Sequence, residues 1–72
     1  MILTVNTGSR SNYGAIIMDC WKHGIEVEKL DGLNLELCAT DENRMAGLIK
    51  RHPYVKILHQ ELIKEVTNGN DV

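Results

Sequence analysis

The chain opens on alternation. From Met1 to Asn6, Leu3 and Val5 fall on one side and Ile2 and Thr4 on the other, the period of a β-strand. From Asn12 to His23 the period lengthens. Tyr13, Ile16, Ile17 and Cys20 share one stripe at about 100° per residue, with Trp21 at its edge. Met18, Asp19 and Lys22 face away, so this stretch predicts a helix. Thr7 to Ser11 is the intervening loop, and Ser9 or Ser11 is placed to cap the helix. Gly24 suits the left-handed residue that ends it.

Alternation then returns twice, over Ile25–Lys29 and Leu33–Ala39. A second helical stripe starts near Asp41 and carries Met45, Leu48 and Ile49, with Thr40 or Asp41 as cap and Pro53 as stop. A last strand begins at Tyr54 or Val55 and runs to about His59. Over Gln60–Val66 the spacing of Leu62, Ile63 and Val66 predicts a short helical turn. The resulting order is strand-helix-strand-strand-helix-strand. It predicts an α+β, ferredoxin-like βαββαβ fold: an antiparallel four-stranded sheet with two helices on one face. One domain is expected over residues 1–67, with a disordered polar tail over residues 68–72.

The hairpin around Asp31-Gly32 invites a register. A two-residue loop would mix leucines with glutamates on one face. A three-residue loop, Leu30-Asp31-Gly32, pairs Val27 with Leu35 and Ile25 with Leu37, so that all four share a core face. Glu26 is then expected opposite Glu36, on an open face that also holds Glu28, Asn34 and Cys38. Like charges so placed are mildly destabilising. They are either a tolerated solvent-facing pair or an acidic contact surface for a basic partner.

Composition narrows the function classes. A chain of 72 residues has room for one small core, and a domain of this size buries only about 60% of its unfolded surface. Dimerisation or docking on a partner would extend that core. Net charge is −2 with acids and bases intermixed, so the basic stripe of a nucleic-acid binder is missing. Arg44, Lys50, Arg51 and Lys56 read as a solvated face. The Leu33–Ala39 strand has no aromatic residue on which a base could stack. Met1–Val5 is too short for a signal or membrane segment. Two cysteines are too few for a disulfide scaffold, and a reduced, cytoplasmic protein is expected. Cys20 and Cys38 fall on opposite faces and are not expected to pair.

Chemistry-bearing groups are sparse. Cys20 and His23 have a spacing that could supply two metal ligands, but no further ligand motif accompanies them. No nucleophile, base and orienting group are joined by spacing, so neither an enzyme nor a cofactor is expected. Two surfaces stand out. Gly8, Ser9, Arg10, Ser11 and Asn12 lie between a strand and a helix N-terminus, where an anion is favoured; a plain capping loop fits the same residues. Glu26, Glu28, Asn34 and Glu36, with Trp21, form the candidate partner contact; Trp21 would either pack partly on the core or anchor an interface.

Residues Ile2–Asp31 resemble the first strand, phosphate loop, helix and second strand of flavodoxin-like reductases. That resemblance implies an FMN phosphate on Ser9, Arg10 and Ser11, although the family's parallel sheet needs a longer chain and no antiparallel hairpin. Acylphosphatases share the present element order and use a loop arginine, to which Arg10 is similar. The fuller resemblance, over about residues 1–59, is to the ACT domain, a small regulatory module. It rests on Asn12 through His23-Gly24-Ile25-Glu26-Val27 and on the strand and helix from Leu35 to Lys50. Tyr13 stands where that family usually has proline, and Gly14 lies closer to Gly24 than the family's loop glycine does. The resemblance implies pairing of two copies and a small ligand lined by Gly8, Arg10, Ser11 and Asn12.

Two functions are therefore expected to compete. One is a small regulatory or inhibitory protein that binds another protein, of the kind that phages and mobile elements encode. The other is an ACT-like homodimeric sensor of an amino acid or another small anion at residues 8–12. Neither involves nucleic acid or a membrane.

Overall fold

A computed structural model describes residues 1–61. The elements are β1 (Ile2–Asn6), α1 (Arg10–Lys22), β2 (Glu26–Lys29), β3 (Asn34–Cys38), α2 (Glu42–Arg51) and β4 (Lys56–Glu61). They build one antiparallel sheet in the order β2-β3-β1-β4, the ferredoxin-like arrangement. Leu3, Val5, Ile25, Leu35, Leu37 and Ala39 form the sheet side of the core. Ile16 and Cys20 of α1, with Met45 and Leu48 of α2, close over them. Among the described residues no helix is long and apolar enough to cross a membrane.

The helix ends follow their caps. Ser9 Oγ accepts from the Asn12 N–H at 3.1 Å, so α1 starts at Arg10, two residues before the predicted start. Asp41 Oδ1 accepts from the Asn43 N–H at 2.8 Å and begins α2. At the end of α1 the Ile25 N–H reaches the Cys20 carbonyl at 2.9 Å over Gly24, whose φ is 70°. That is the six-residue closure typical of a glycine-ended helix.

Two expectations are corrected. Gln60 and Glu61 belong to β4, paired with Leu3 and Ile2, and are not helical. Pairing with a central strand outweighs the weak helical spacing there. The rest of the predicted turn, the domain end at residue 67 and the tail lie outside the described residues. The second correction is the hairpin register. Val27 pairs with Leu37 and Lys29 with Leu35, two residues from the predicted alignment. Glu36 therefore faces Glu28, and Glu26 faces Cys38. The loop is Asp31-Gly32-Leu33. The Asn34 N–H donates to the Asp31 carbonyl at 3.1 Å, and Gly32 takes a φ of 62° at the first central position. A slip of two keeps every side chain on its predicted face, so alternation cannot distinguish the two alignments. The Leu30 N–H, which donates to the Asn34 carbonyl at 3.1 Å, and the Asp31–Asn34 turn close the hairpin in the observed alignment, while Thr7 ties β1 to the residue before β3. Thr7 is fully buried, and both its N–H and its hydroxyl donate to the Leu33 carbonyl at 3.0 Å.

Candidate partner-binding surface

The loop from Gly8 to Asn12 is largely occupied with its own hydrogen bonds. The Gly8 N–H donates to Asn6 Oδ1 at 3.0 Å. Ser9 caps α1, and its carbonyl accepts from the Tyr13 N–H at 2.9 Å. Arg10 and Ser11 stand exposed on the first turn, and Asn12 is half-buried. Arg10 lines a recess of about 360 Å³ with Tyr13, Gly32 and Leu33. A capping loop beside a guanidinium with no hydrogen-bond partner among the described residues makes up this end of α1.

The open face of the sheet carries the predicted acids. Glu26 and Glu28 are exposed on β2, and Glu36 is half-buried beside them on β3. Glu26, Glu28, Glu36 and Cys38 line a shallow depression of about 150 Å³. Asn34 lies at the far end of β3, where its Oδ1 accepts from Asn6 Nδ2 at 2.8 Å. It braces the sheet and is not part of the acidic group.

Trp21 gives this flank its character. Its position at the edge of the helical stripe left two outcomes, and 82% exposure places the indole outside the core. It lines a groove of about 600 Å³ between α1 and β2, together with Ile17, Val27 and Lys29. Glu26 lines the same groove. Trp21 on the helix side and Glu28 and Glu36 on the open side therefore flank β2, with Glu26 lining both recesses. The 8–12 loop lies at the other end of α1, roughly 16 Å away along a helix that rises about 1.5 Å per residue.

A cluster that sequence reasoning missed joins the two helices. Asp19 accepts from Arg51 Nε and Nη2 at 2.8 Å each, the bidentate geometry that favours arginine. His52 Nε2 lies 2.6 Å from Asp19 Oδ2, and His23 Nδ1 lies 2.7 Å from Asp19 Oδ1. His52 Nδ1 lies 2.5 Å from the Tyr54 hydroxyl. Arg51 first, and then His52, hold the Asp19 carboxyl well below the usual carboxylate range against the opposing effect of burial. A nucleophile, a base and an orienting acid would follow the same order. Here the acid contacts Arg51, His52 and His23, so the row ties the end of α2 to α1 as a clasp. Asp19 lies 32 residues from Arg51, a separation at which no sequence motif is legible.

Cys20 and His23, whose spacing alone would allow two metal ligands, face different surroundings. Cys20 is fully buried, and burial pushes its thiol pKa up to about 11. His23 turns instead to Asp19. A scan against protein-family models and searches of curated proteins and of solved structures find no match to this chain, so the reading of its surface rests on these residues alone.

Proposed function

We propose that this chain is a small non-enzymatic regulatory or inhibitory protein that acts by binding another protein. One observation carries the reading: the only tryptophan stands 82% exposed on a well-capped helix, over a groove lined by Ile17, Val27, Glu26 and Lys29. An exposed tryptophan costs solubility and does nothing for the core. Tryptophan at the centre of an interface is a frequent source of binding energy, with truncation costing about 2 kcal/mol or more. The polar open face and the absence of a basic stripe favour a protein over a nucleic acid.

Affinity capture from a host lysate tests this, using the wild-type chain and Trp21→Ala as parallel baits. A stoichiometric protein should be held by the wild type and bound about 30-fold more weakly by the variant. Equal capture by both baits, or no specific protein on either, counts against the reading. The Arg10 recess favours a second reading, the ACT-like sensor. For that, a thermal-shift panel of amino acids and phosphates should raise the melting temperature, and Arg10→Ala should remove the rise.

A further inference from the structure

The direction of the backbone groups on β2 extends this reading. β2 ends the sheet. The Leu30 N–H donates to the Asn34 carbonyl at 3.1 Å, which sets the parity of the hairpin. Glu28 and Glu26 thus exchange backbone bonds with β3, in line with the Leu30 donor, while Ile25, Val27 and Lys29 turn theirs outward. The Ile25 N–H is taken by Cys20. Among the described residues, the N–H and C=O of Val27 and Lys29 have no partner. An unpaired strand edge is a template for one more strand.

Resting on the reading of this chain as a protein-binding module, we propose that the β2 edge takes an extended segment of a protein partner as a fifth strand, one whose side chains alternate between basic and apolar. On the open side, the added residues would lie beside Glu26 and Glu28, with Glu36 in the next strand. Cross-strand neighbours of opposite charge are favourable and like charges are not. On the helix side, the alternate residues would lie over the groove lined by Ile17, Trp21 and Val27. Trp21 would then close on an apolar side chain.

The same parity sets the edge against a second copy of itself. Two β2 edges meet antiparallel only with outward-facing residues opposite one another. If Val27 faces Val27, Glu26 faces Glu28 on both sides. If Val27 faces Lys29, Glu28 faces Glu28. If Val27 faces Ile25, Glu26 faces Glu26. Each alignment stacks acids, so a basic partner strand is the occupant the charges select.

A short capped peptide of alternating lysine and valine is the probe, with its glutamate–valine twin as control. Trp21, the sole tryptophan, reports binding by its emission, and amide hydrogen exchange reports the edge. The lysine peptide should shift the Trp21 emission and slow exchange at Val27 and Lys29. It should bind about tenfold more tightly than its twin, as two or more reversed cross-strand pairs imply. Glu28→Lys should shift the preference toward the glutamate peptide. Val27→Pro removes an outward N–H without touching the β2–β3 ladder, and should abolish the protection at Lys29. Equal binding of the two peptides, or protection confined to β4, overturns the proposal. So does concentration-dependent protection of Val27 and Lys29 without peptide, which would mean self-pairing. A lysate partner lost with Trp21→Ala but kept with Val27→Pro would sink the edge while leaving the protein-binding reading standing.

Discussion

Gly24 shows how much a single residue can decide in a chain this small. Its φ of 70° lies where side chains are strained, a penalty of about 1–2 kcal/mol for a residue with a Cβ. The space is also taken. A Cβ there would meet Arg44 Nη1 at 2.6 Å, the same atom that donates to the His23 carbonyl at 3.1 Å. Gly24→Ala is therefore expected to lower stability by about 1–2 kcal/mol and to displace the Arg44 side chain. Urea unfolding measures the first effect, and an unchanged midpoint would show that the turn tolerates the methyl group. Gly24 was legible because a glycine directly after a helical stripe has few other uses. Thr7 was not. Its two bonds to the Leu33 carbonyl are 26 residues away in the chain, and nothing local marks it.

Between elements, the clasp at Asp19 is the feature to test. Residues from both helices converge on one carboxylate, whose side chain is 13% exposed. Its folded pKa lies below the unfolded value of 3.8. Its contribution is thus complete above about pH 4, and is lost as pH falls from there through the folded value. Asp19→Asn keeps the size and removes the charge. Its stability deficit against the wild type should be largest near neutrality and shrink as the pH drops below about 4. Denaturant midpoints across that range test this; a deficit that stays constant with pH would mean the clasp works by shape and not by charge. Helix ends, stripes and caps were visible in the sequence because each is a local pattern. The clasp was not, because α1 and α2 meet there only after both have folded onto the sheet.

At the scale of the whole molecule, one core separates two surfaces of different kinds. Cys20 and Cys38 report on them. Cys20 is fully buried on the core side of α1 and its thiol pKa is pushed up to about 11, whereas Cys38 is half-buried on the open face. A thiol reagent should therefore modify Cys38 in the native protein and Cys20 only as the core opens, since the thiolate is the reactive form. Mass spectrometry at timed intervals checks this. Equal modification of both in native buffer would contradict the packing of α1 on the sheet.

The division between chain and fold follows from range. Hydrophobic periodicity determines which residues are strands, which are helices and which face each side chain takes, because those depend on neighbours within a few positions. It placed Val27, Leu35 and Leu37 toward the core and Glu26, Glu28 and Glu36 away from it, and it led to the ferredoxin-like order. Tertiary structure alone decided the rest. It selected one of two hairpin alignments that share the same faces, closed by the Leu30 bond to the Asn34 carbonyl and the Asp31–Asn34 turn. It assembled the Asp19 clasp from distant positions. It also set β2 at the edge of the sheet, its Val27 and Lys29 backbone groups without partners among the described residues, with Trp21 on one face and the acids on the other. Which strand lies at an edge depends on how the whole chain winds, and no local period carries that information.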